Sequence, residues 1–106
     1  MNIGDMAKSL GFEEDEFCEM LELFVETTVT DLEKLRFAID EGMPELVVEA
    51  SHSIKGAARS FGFDDISKAA EKIEMKARQK DLDGSVEMMN RVKAQLDGII
   101  LTLEDA

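Results

Sequence analysis

The chain has one histidine, His52, in the run Ser51-His52-Ser53-Ile54-Lys55-Gly56-Ala57-Ala58-Arg59. On a helix at about 100° per residue, Val47, Ala50, Ile54, Ala57, Ala58 and Phe61 share one face. His52, Lys55, Gly56 and Arg59 form a column on the opposite face. Neutral imidazole is a nucleophile near pH 7, where an unperturbed ring titrates at about 6.5, and it can take up a phosphoryl group covalently. Lys55, one turn on, can supply charge to phosphoryl oxygens. Arg59, two turns on, can serve the phosphate or a partner's carboxylate. Gly56 costs the helix roughly 1 kcal/mol relative to alanine; a mid-helix glycine beside a reactive group points to close approach of another molecule. Val48, one turn before His52 on the outward face, is a candidate apolar contact for that molecule, the plain alternative being an isolated exposed valine.

A second chemistry is open to the same histidine. Glu49-x-x-His52 has the i,i+3 spacing of di-iron carboxylate bundles, but that design needs two such motifs facing inward. The chain has one histidine, and it faces outward, so no metal site is expected. A net charge of −12 argues against nucleic acid, whose binding needs a basic footprint. From His52 to Lys80, however, seven basic residues outnumber four acidic ones. That local excess suits a site that handles an anion. Cys18 is alone, so no internal disulfide can form and a cytoplasmic compartment is expected. No run approaches the roughly 20 apolar residues of a membrane span.

The elements that must position His52 are helical. At 106 residues and 44% apolar content the sequence reads as one domain over 1–106 with a single modest core. A short helix is expected over Gly4–Leu10, stopped by Gly11. A long one begins in Glu13-Glu14-Asp15-Glu16, with the stripe Phe17, Leu21, Phe24, Thr28, Leu32, Leu35 and Ile39, and ends at Gly42. Pro44 fits the first turn of the next, which runs to Phe61 and is closed by Gly62, although Met43 is a poor cap for it. Asp64 or Asp65 caps the fourth, with Ile66, Ala69, Ala70, Ile73 and Ala77 inward. The last shows Val86, Met89, Val92, Leu96, Ile99, Ile100 and Leu103. Short loops between long amphipathic helices predict an all-α, antiparallel up-down four-helix bundle with a short extra N-terminal helix.

The stretch Ala50-Ser51-His52-Ser53-Ile54-Lys55-Gly56-Ala57-Ala58, then Phe61-Gly62-Phe63, Ala69-Ala70 and Ile73-Glu74, closely resembles the histidine-containing phosphotransfer (HPt) domain family. Leu23-Phe24 and Ala38-Ile39-Asp40-Glu41-Gly42 extend the resemblance over nearly the whole chain. It implies a four-helix bundle with a phosphoacceptor histidine and no intrinsic kinase activity. The phosphoryl group would pass between His52 and an aspartate of a response-regulator receiver domain, with a histidine kinase as the other partner. By resemblance His52 matches the phosphoacceptor, Lys55 the phosphate-stabilising lysine, Gly56 the small access residue and Gly62 the helix-ending glycine. Glu74 matches a polar position contacting the histidine ring; glutamate there is similar to the amino-terminal phosphotransfer domain of chemotaxis kinases. The second histidine usual in that branch is absent, and Met43 stands where the family commonly has Asp. No cofactor is implied, the divalent metal of transfer belonging to the receiver, and a monomer is expected.

On its own helix, Glu74 lies about 80° from the centre of the apolar stripe. That puts it at the core's edge, able to reach His52 and fix its tautomer or simply to pair with Arg78 at i+4. Two further readings stay open: the phosphotransfer domain of a chemotaxis-type kinase, and a helical adaptor bundle without phosphate chemistry.

Overall fold

The computed structural model describes residues 2–105, in which five helices follow one another and no strand occurs. They are α1 (Ile3–Leu10), α2 (Glu14–Asp40), α3 (Pro44–Phe61), α4 (Asp64–Arg78) and α5 (Ser85–Glu104). Helix α2 has 27 residues, about 40 Å at 1.5 Å per residue, and sets the 42 Å long axis. Packing joins α2 to α3, α3 to α4, α4 to α5, and α5 back to α2, which closes the bundle; α1 rests on α2.

Local chemistry explains the ends. Asn2 accepts the Asp5 amide at 3.0 Å to start α1. Glu14, Asp15 and Glu16 occupy the positive end of the α2 dipole. Pro44 is in the first turn of α3, where Met43 gives no side-chain cap. The cap expected from Asp64 or Asp65 is not made. Phe63 holds the N-cap position of α4, and both aspartates act from inside its first turn as charges on the dipole.

The core contains Phe17, Leu21, Phe24 and Leu35 of α2, Val47, Ala50, Ile54 and Ala58 of α3, and the whole expected face of α4. Four assignments differ, the first being Ile100 and Leu103 of α5, which are only half-buried. On α2, Asp31 and Ala38 are buried while Leu32 and Ile39 are only half-buried, because the stripe drifts around the cylinder. Ala57 and Phe61 are half-buried at the flank of α3. Val86 is exposed; it lies about 100° from the axis of the α5 stripe, and its neighbour Ser85 turns inward instead.

Candidate functional site

The site is made by one reversal of the chain. Gly62 takes φ 74°, a left-handed conformation a side chain would strain, and closes α3. The Phe63 amide donates to the Ala58 carbonyl at 2.9 Å and the Gly62 amide to Arg59 at 3.1 Å. Four rings clamp this end: Phe61 and Phe63 stack at 5.6 Å, and Phe24 meets both at 5.1 and 5.2 Å. Phe17 completes the cluster 5.9 Å from Phe61. His52 is ten residues before Gly62 and Glu74 twelve after it, so antiparallel packing of α3 on α4 sets them level.

There, His52 Nδ1 lies 2.9 Å from Glu74 Oε2. The Arg78 guanidinium donates to the same oxygen at 2.7 Å. Lys55 Nζ stands 2.6 Å from the other oxygen, Oε1, as an ion pair whose angles fall outside hydrogen-bond geometry. The expected histidine contact and the expected i+4 pair with Arg78 are therefore both made. Glu74 is not at the core's edge but within it, 3% exposed, whereas the His52 side chain is 63% exposed.

Burial alone would push the Glu74 carboxyl up. The close contact with Lys55, the hydrogen bonds with Arg78 and His52, and the Lys55 charge outweigh it and bring the group down to about 2. At neutral pH it is a carboxylate and can only accept. The ring nitrogen facing it must carry the proton, so neutral His52 is held as the Nδ1–H tautomer with the Nε2 lone pair on the exposed side of the ring.

Gly56 and Arg59 are exposed on the same face as His52. A Cβ built on Gly56 meets nothing within 4 Å, so packing within the chain does not require glycine there. Lys55 is drawn in against Glu74, 17% exposed, rather than standing free in solvent. Val48 is half-buried against the core and lines a groove with Arg78 and Lys80 on the α4 side. It is not an isolated exposed valine.

Sequence reading missed one polar pair beside the histidine. The Ser53 hydroxyl donates to Asp31 Oδ2 at 2.6 Å across the α2–α3 interface. Its signal was a carboxylate three residues after Thr28 and four before Leu35, in the core register of α2. Cys18 offers no thiolate: burial first, then Glu14, Glu22 and Asp15, push its thiol up. Among the described residues no three His, Cys, Asp or Glu side chains group as a metal site, and no helix is long and apolar enough to cross a membrane.

No curated protein and no solved structure matches the chain. The family model of the Hpt domain matches residues 19–102, which hold the whole His52–Lys55–Glu74–Arg78 network and both helices that carry it, α3 and α4. The chain belongs to the Hpt domain family.

Proposed function

We propose that this chain is a phosphocarrier, one module over residues 1–106, whose His52 takes a phosphoryl group and exchanges it with an aspartate of a response-regulator receiver domain. Hpt domains are phosphocarrier modules of phosphorelay signalling that work between histidine kinases and response regulators. The observation that carries the finer reading is the 2.9 Å contact between His52 Nδ1 and a buried carboxylate. As Nε2 attacks phosphorus, the P–O bond to the donor breaks and a P–N bond forms. The ring, still protonated on Nδ1, becomes cationic next to the Glu74 carboxylate, which stabilises that charge without moving. The same proton keeps the phosphorylated ring a good leaving group for the return step. Lys55 and Arg78 hold Glu74 in place, and Arg59 and Lys55 supply positive charge near the phosphoryl oxygens. Gly56 and Val48 are contacts for the partner. The nucleotide chemistry is left to the kinase, since no glycine-rich phosphate loop occurs in the sequence.

Incubation with a histidine kinase and labelled ATP, or with a labelled small phosphodonor, tests this. Acid-labile label is expected on wild type and absent from His52→Gln, and it should pass to a receiver domain. Label retained on His52→Gln refutes the assignment. A folded wild type that takes no label is the adaptor bundle instead. Glu74, rather than an amide at this position, favours the chemotaxis-kinase form of the same activity, which a kinase core in the same full-length protein would decide.

A further inference from the structure

Asp31 is 7% exposed, yet it is not sealed in the core. It lines a groove of about 550 Å³ between α2 and α3, whose walls include Phe37, Leu46 and Ala50. Phe37 is 56% exposed and Leu46 37%, so the groove presents apolar side chains to solvent, with the Asp31 carboxylate among its walls. Ser53 holds Asp31 Oδ2; Oδ1 has no hydrogen-bond or ion-pair partner among the described residues. Glu33 and Glu49 add acidic charge at the rim against one base, Lys34, which is not within ion-pairing distance of Asp31. Oδ1 keeps access to solvent and has no partner within the described residues, so a cation entering the groove can reach it. That combination suits a cation on an apolar stem: ammonium or guanidinium to Asp31, the methylenes along Phe37 and Leu46.

Two of the residues lining the groove, Glu49 and Ser53, are neighbours of His52 on α3. Ser53 follows His52 in sequence, and Glu49 precedes it by one helical turn. We propose that this groove receives a lysine or arginine side chain, flanked by apolar residues, from the receiver domain that exchanges phosphate with His52. Charge complementarity in an otherwise strongly acidic chain selects that partner chemistry. The inference rests on the phosphocarrier reading and adds where the receiver docks and what it must carry.

The test uses the whole chain and a receiver domain chosen because it takes phosphate from the wild type. Amide shifts on adding that receiver are expected at Asp31, Phe37 and Leu46 as well as around His52. Asp31→Asn is expected to raise the receiver Kd more than tenfold and to flatten its dependence on salt, which loss of a merely structural hydrogen bond would not do. If Asp31→Asn fails to fold, the exposed pair Glu33→Gln with Glu49→Gln replaces it, with a smaller rise in Kd and the same loss of salt dependence. Affinity within twofold of wild type, or no shift at Phe37 and Leu46, overturns the proposal while leaving the phosphocarrier reading standing. The same shifts produced by concentrating the chain alone assign the groove to a second copy and also overturn it. A wild type that takes no phosphate from any donor removes both readings together.

Discussion

Replacing Glu74 with glutamine removes the charge on which His52, Lys55 and Arg78 converge while keeping the shape of the side chain. The carboxyl has a folded-state pKa of about 2 against an ordinary 4.5, which is worth about 3 kcal/mol of stability at pH 7. A depressed folded pKa contributes stability above the unfolded value and loses it as pH falls through the folded one. The loss therefore runs from about pH 4.5 down to about pH 2, with about 2 kcal/mol gone by pH 3. The full value is an upper bound, since the Arg78 and His52 side chains are more than half exposed and screened by solvent. Lys55, mostly buried, keeps most of its share. Urea unfolding followed by circular dichroism on wild type and Glu74→Gln, at pH 7 and pH 3, measures the effect. The difference in stability between the two should be about 2–3 kcal/mol at pH 7 and shrink by about 2 kcal/mol at pH 3. A difference that stays constant with pH to within about 0.5 kcal/mol would refute the reasoning, because it would mean that Glu74 draws no net stabilisation from its ionised form.

Gly56→Ala should raise stability by roughly 0.8–1 kcal/mol, since the added Cβ meets no atom within 4 Å; the thermal midpoint should rise while phosphate transfer to a receiver slows, more so in Gly56→Leu. Unslowed transfer in Gly56→Leu would remove the access role. Thr28 is fully buried with an unpartnered hydroxyl, so Thr28→Val should stabilise the chain by about 1 kcal/mol in chemical denaturation. Val48→Asp should weaken receiver binding more than tenfold, about 1.4 kcal/mol; because Val48 also touches the core, Val48→Ala is the companion that separates docking from packing, and unchanged affinity in both would remove the contact.

The helices were legible because the apolar residues recur at 3.6-residue spacing and because Gly11, Pro44 and Gly62 punctuate them at positions with one physical meaning each. The histidine column was legible for the same reason: from His52 to Arg59 that face carries no apolar side chain, and His52, Gly56 and Arg59 are exposed. What failed was phase over a long helix. A small angular drift along the 27 residues of α2 exchanged Leu32 for Asp31 and Ile39 for Ala38 at the interface. With that went the Asp31–Ser53 pair, which depends on register between two helices rather than on either alone. Glu74 shows the opposite case. Its angle on α4 allowed either His52 or Arg78 as partner, and only three-dimensional packing shows a carboxylate with two oxygens serving both and Lys55 besides.

The reversal at Gly62 has a consequence for the order in which the molecule comes into being. His52 and Glu74 are 22 residues apart, so bringing them together closes a short loop at a modest entropic cost. Contacts of such short sequence separation belong to the fast end of folding, microseconds to milliseconds in helical bundles. A ribosome adding about 5–20 residues per second makes the stretch between them in about 1–4 seconds, so closure of this hairpin is far faster than its synthesis. Helix α5 emerges last, onto α2 and α4. A substitution in α5 should then act mainly on how fast the bundle comes apart, and one in the Phe61-Gly62-Phe63 turn on how fast the reactive ring meets its carboxylate.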